Sequence, residues 1–108
     1  MTIALLRPLA EADLVARTHY YRREGGDALG ERFFDAAVAA LDAITRMPGA
    51  GSPRVGVVCD IPGLRVRRVV GLPCSWFYFV TTDQVDIVRL LADSQDLPSI
   101  LADVTDDA

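Results

Sequence analysis

Gly63-Leu64-Arg65-Val66-Arg67-Arg68-Val69-Val70, Ser75-Trp76-Phe77-Tyr78-Phe79-Val80-Thr81-Thr82 and Gln84-Val85-Asp86-Ile87-Val88-Arg89-Leu90-Leu91 follow one another in a single stretch, residues 63–91. The first segment alternates, with Arg65 and Arg67 on one face and Leu64 and Val66 on the other, which is the period-2 signature of a strand. The second is apolar and aromatic on both faces and reads as a central strand. The joints Gly71-Leu72-Pro73 and Thr82-Asp83-Gln84 are short enough for hairpins, so the three segments predict an antiparallel meander.

Upstream of the meander the periodicity changes. Leu9 to Arg23 reads as a helix with Leu9, Ala12, Ala16 and Tyr20 on its apolar face, ended by Gly25-Gly26. A second helix is expected from about Asp27 to Met47. Its polar residues Glu31, Arg32, Asp35, Asp42 and Arg46 form a narrow stripe. Leu29, Phe33, Phe34, Ala37, Val38, Leu41, Ile44 and Met47 make the rest apolar over more than the ~100° that one-sided packing needs. This helix therefore packs on two neighbours at once or keeps apolar surface for a partner. Thr2 to Arg7 is a short β-compatible run stopped by Pro8. Pro48-Gly49-Ala50-Gly51-Ser52-Pro53 reads as a loop between the halves.

Downstream, Asp96-Leu97-Pro98 fits the start of a short helix with Asp96 as N-cap, anchored by Leu97, Ile100 and Leu101, with the chain fraying from Val104. The order β-α-α-β-β-β-α is that of an α+β domain, a helical hairpin packed on a small antiparallel sheet. Neither half is large enough to bury its own core, so residues 1–108 are expected to form one domain, with 103–108 a mobile tail.

The 108 residues are 51% hydrophobic and 24% charged, a balance suited to one compact core. All 11 basic residues are arginine. Residues 51–91 carry a net +2, whereas residues 92–108 hold five aspartates and no base. A formal net charge of −4 argues against holding nucleic acid by phosphate neutralisation alone. No run approaches the roughly 18 apolar residues of a membrane span, and the apolar N-terminal run is too short for a signal peptide. A soluble, cytoplasmic protein is expected. Cys59 and Cys74 do not make a disulfide framework, and two free thiols are the default in a reducing compartment. No Cys/His cluster has metal-binding spacing and the glycines form no phosphate loop, so neither metal nor cofactor is expected.

From Leu9 to Leu101 the chain resembles the ParE branch of the RelE/ParE toxin superfamily of bacterial type II toxin–antitoxin modules. The resemblance is carried by Ala12-Asp13-Leu14, Tyr20-Tyr21, Glu31-Arg32-Phe33, Pro48, Gly51-Ser52-Pro53-Arg54, Gly63-Leu64-Arg65, Phe77-Tyr78, Asp86-Ile87-Val88-Arg89 and Asp96-Leu97-Pro98-Ser99-Ile100-Leu101, in that order. It implies a helical hairpin on a compact sheet and a cognate, ParD-like antitoxin that wraps and silences the toxin in a hetero-oligomer. ParE-type members are associated with poisoning DNA gyrase, RelE-type members with cutting mRNA on the ribosome. Ribonuclease chemistry needs groups that activate the 2′-hydroxyl and protonate the leaving oxygen. After Arg89 this chain has no Lys, Arg, His or Tyr, which disfavours that reading. It also departs from the ParE pattern: where those toxins often show a His and an Arg, it has Ala92-Asp93-Ser94-Gln95-Asp96. A relative that only binds antitoxin is the third possibility.

Arg54, Arg65, Arg67, Arg68 and Arg89 concentrate positive charge on the β half. They form either a docking surface for an acidic antitoxin tail or the target, or a solvated strand face with ion pairs to Asp83 or Asp86. Arg65 is the leading docking candidate. Trp76 and Tyr78 share a parity and are expected to fill the core, with an interface role as the alternative. His19 is expected to cap or pack rather than catalyse. No catalytic residue is assigned.

Overall fold

The computed structural model describes residues 2–102 and Val104. The elements run β1 (Ile3–Leu6), α1 (Pro8–Arg46), a 3-10 turn (Pro48–Ala50), α2 (Arg54–Val58), β2 (Arg65–Arg68), β3 (Cys74–Val80), β4 (Gln84–Ala92) and α3 (Leu97–Leu101). The two expected helices are the arms of α1, which breaks at Gly26 (φ 84°, ψ 178°). Only glycine adopts that conformation readily, so the Gly25-Gly26 pair turns the chain back on itself. The arms touch along their length. The Tyr21 and Phe33 rings lie 4.9 Å apart, and a Cβ on Gly30 would stand 3.1 Å from Cβ of Arg22.

The meander forms as expected. Arg65 pairs with Tyr78 and Arg67 with Trp76 across β2 and β3, and β3 pairs antiparallel with β4, with a register shift at Phe77/Tyr78. The strand order is β1-β4-β3-β2. The wholly antiparallel expectation is corrected: β1 lies parallel to β4, Ile3 opposite Gln84 and Leu6 opposite Ile87. No hairpin joins β1 to β4. The chain reaches β4 only after α1, β2 and β3, so nothing local in the sequence sets that direction.

Both faces of the sheet are covered. Trp76, Tyr78, Val85, Ile87 and Leu90 meet Ala10, Phe33, Ala37, Ala40 and Ile44 of α1. On the other face Phe77, Val88 and Leu91 meet Ile61, Leu64, Leu101 and Val104. The indole Nε1 of Trp76 donates to the Ala37 carbonyl at 3.0 Å, and the Tyr78 hydroxyl donates to the Pro48 carbonyl at 2.7 Å. Tyr78 lies against Gly51, where a Cβ would collide with the phenol. The buried indole and phenol thus hold the second arm and the turn after it on the sheet.

Three further expectations change. The face Leu9/Ala12/Ala16/Tyr20 is exposed, and the first arm instead packs through Ala10, Leu14 and Tyr21, with Asp13 and Arg17 also turned inward. Those two polar residues disguise the buried face. The segment before the meander is not featureless loop but contains the 3-10 turn and α2, and Ser52 bridges to Val66. Finally, Asp96 caps α3 through Ser99 as expected, yet Val104 is packed where fraying was expected to begin. It is 5% exposed in the second core, and its carbonyl accepts from the Arg7 guanidinium at 2.9 Å. The remainder of the expected mobile tail, Asp103 and residues 105–108, lies outside the described residues.

Candidate functional site

The wide apolar arc of the second arm divides into two. Phe33, Ala37, Ala40 and Ile44 enter the core, while Phe34 and Val38 remain 43% and 42% exposed. Between the arms, on the side away from the sheet, runs an open groove of about 430 Å³. Leu14, Val15, Gly30 and Phe34 supply its apolar surface, and His19, Arg22, Asp27 and Glu31 its polar rim. Arg22 and Asp27 pair at 3.6 Å across the turn. Gly30 lets the arms approach closely, and the bare backbone there leaves room beside Phe34. His19 is exposed on this rim rather than packed.

The five arginines singled out from the sequence do not converge. Arg65 and Arg67 share the α1 side of β2 with their cross-strand partners Tyr78 and Trp76. Arg65 donates to the carbonyls of Gly49 and Gly51 at 3.0 and 2.7 Å, clamping the 3-10 turn to the sheet. Arg68 pairs with Asp93 at 2.9 Å on the surface, and not with Asp83 or Asp86. Arg89 makes a bidentate pair with Asp13, at 2.7 and 3.0 Å, which holds its guanidinium above the usual arginine pKa. Arg54 is exposed at the start of α2. Trp76 and Tyr78 are fully buried, the core placement expected of them.

Sequence reasoning missed the polar cluster where β4 runs past the end of β1. There Asp13 also accepts from the Leu90 backbone N–H at 3.0 Å, and Gln95 accepts from the Ala92 N–H at 2.7 Å, so side chains satisfy an edge that has no neighbouring strand. Arg7 binds Asp86 at 3.0 and 2.8 Å. The available signal was Asp13 and Arg17 at helical spacing on what would otherwise be an apolar face. Among the described residues no three His, Cys, Asp or Glu side chains are grouped to hold a metal. Cys59 and Cys74 are free thiols, and no described helix is long and apolar enough to cross a membrane.

A family model described as the ParE toxin of type II toxin–antitoxin systems, parDE, matches residues 4–97. The chain belongs to the ParE toxin family. A solved structure from the chromosomal ParDE TA system of P. aeruginosa superposes on this ParE-family fold with a TM-score of 0.73. The two are 22% identical, and the match covers 85% of this chain and 96% of that one. At that identity the likeness speaks for the fold. No curated protein sequence matches significantly. The protein is thus a type II toxin by family, with an α+β fold of a long broken helix on a mixed four-stranded sheet.

Proposed function

We propose that this ParE-family toxin is neutralised by a cognate, ParD-like antitoxin whose amphipathic helix lies in the groove between the arms of α1, and that free toxin acts by binding a protein target, DNA gyrase, without catalysis. The observation that carries the reading is the groove itself: an apolar trough with charged walls suits a helix presenting apolar side chains at i, i+3, i+4 and i+7. The family description names a toxin–antitoxin system, which supports a dedicated partner.

The side chains nearest to ribonuclease chemistry are engaged elsewhere. The Tyr78 hydroxyl donates to the Pro48 carbonyl, and burial pushes its pKa up, away from any role as a base near neutrality. Arg65 is held by two backbone carbonyls, and Arg89 by Asp13. These contacts favour a binding toxin over the RelE-like alternative. Purified toxin would be assayed for inhibition of gyrase supercoiling and for cleavage of ribosome-bound mRNA, each with and without the antitoxin encoded beside it. Gyrase inhibition relieved by antitoxin is the expected result. Cleavage of mRNA would replace the proposal with the ribonuclease reading, and inactivity in both assays with retained antitoxin binding would leave a toxin that has lost its target.

A further inference from the structure

Beside the polar edge of β4, α1 and the loop after β4 border a second, open cavity, about 240 Å³ and lined by Asp13, Arg17, Tyr20 and Gln95. Its donors and acceptors are unequally used. The Ala92 backbone N–H can only donate, so the Gln95 atom it meets at 2.7 Å is the carbonyl Oε1. The same oxygen accepts from Arg17 at 3.3 Å. The carboxamide is therefore fixed with its NH₂ group on the other side, and that group has no acceptor among the described residues. Arg17 is also held, its guanidinium 5.4 Å from the Tyr20 ring centroid. It uses one nitrogen on Gln95, and its other N–H groups have no acceptor among the described residues.

Neighbouring carboxylates do not quench this array. Both oxygens of Asp13 are occupied by Arg89 and the Leu90 N–H, and Asp93 is paired with Arg68. What remains, among the described residues, is an arginine without an ion-paired carboxylate beside a fixed amide donor, with the Tyr20 hydroxyl at the rim able to donate or accept. We propose that this cavity is a carboxylate-binding subsite. Guanidinium and carboxamide are both planar donors, and together they fit a planar monoanion. A phosphate dianion would bring a second charge close to Asp13 and Asp93 without a second free cation to meet it. The site is separate from the groove and stands whether or not the groove receives an antitoxin.

The test is a two-dimensional NMR titration of the labelled, full-length protein at constant ionic strength, following the Gln95 side-chain amide and the Arg17 Nε–H. Acetate is expected to shift both signals saturably in the millimolar range. Neutral acetamide should shift neither, and inorganic phosphate should bind more weakly than acetate. Gln95→Glu keeps the oxygen that accepts from Ala92 and Arg17 but replaces the donor with a negative charge. It should weaken acetate binding by about tenfold or more, roughly 1.4 kcal/mol, while the rest of the spectrum stays in place. Arg17→Gln, which leaves Gln95 its contact with Ala92, should do the same. Capped glutamate binding more tightly than N-acetylalanine would assign the carboxylate of an acidic side group, and the reverse order the α-carboxylate that ends a peptide. Unsaturable shifts, equal binding by Gln95→Glu, or tighter binding of phosphate than of acetate would overturn the proposal.

Discussion

At the scale of single residues, Asp13 shows how one carboxylate can hold two elements together. It receives two bonds from Arg89 and one from the Leu90 N–H, joining α1 to the unpaired end of β4. Both partners of the ion pair are about four-fifths buried, so removing one leaves a charge and a backbone donor without a partner. Asp13→Ala is expected to cost about 3 kcal/mol, read as a lower urea midpoint. Cys74 offers a pH test. It is completely buried, and burial pushes its thiol up to about 11 from 9.0. The folded state therefore holds this proton after the unfolded chain has lost it, and the slope of stability with pH is negative between the two values. The contribution is fully present below about pH 9 and is lost as pH rises towards 11. Tyr21 and Tyr78 are pushed up by burial as well and act in the same direction. The urea midpoint should fall across pH 9–11, with a shallower fall in Cys74→Ala.

At the scale of elements, α1 is two helical arms meeting at a break, and Gly26 decides that. Its positive φ with ψ near 180° belongs to a region almost closed to side chains, although a Cβ there would touch nothing. Gly26→Ala should therefore destabilise by roughly 1–3 kcal/mol through backbone strain alone. Gly49→Ala, also in open space but at ordinary φ, should stay within about 0.5 kcal/mol. Thermal melts of the pair separate strain from crowding. Val104 gives a second test. It is packed against the second core and supplies an acceptor to Arg7. Truncation after Asp103 is expected to lower stability by roughly 1.5–3 kcal/mol, the worth of one buried aliphatic side chain. A truncated protein as stable as the whole would show that Val104 contributes nothing to the core.

At the scale of the whole molecule, the sheet is covered on both faces while the outer side of α1 is left open. Phe34, Val38 and Val15 are exposed there, which is where a partner binding only the folded toxin would raise its melting temperature. Phe34→Asp should leave the free protein folded, because the side chain lies in the open groove and not in the core. It should weaken antitoxin binding by about 2 kcal/mol or more, near thirtyfold, if Phe34 is a central anchor. Calorimetry on the two proteins measures it, and unchanged affinity would move the antitoxin off the groove.

The sequence alone determined the local elements: the meander from period-2 alternation, the extent of both helical arms, the break at Gly25-Gly26 and the Asp96 cap. Each of these depends on neighbours within a few residues, which is why it could be read. Tertiary structure decided the direction of β1, the buried face of the first arm and the intramolecular partners of the arginines. Asp13 and Arg17 look solvent-facing until Arg89 and Gln95, more than 70 residues away, arrive to engage them. Arg65 looks like a docking cation until Gly49 and Gly51 fold over it. Charge and hydrogen-bonding capacity are written in the sequence, but whether a partner or the protein itself uses them depends on which distant groups the fold brings within about 3 Å.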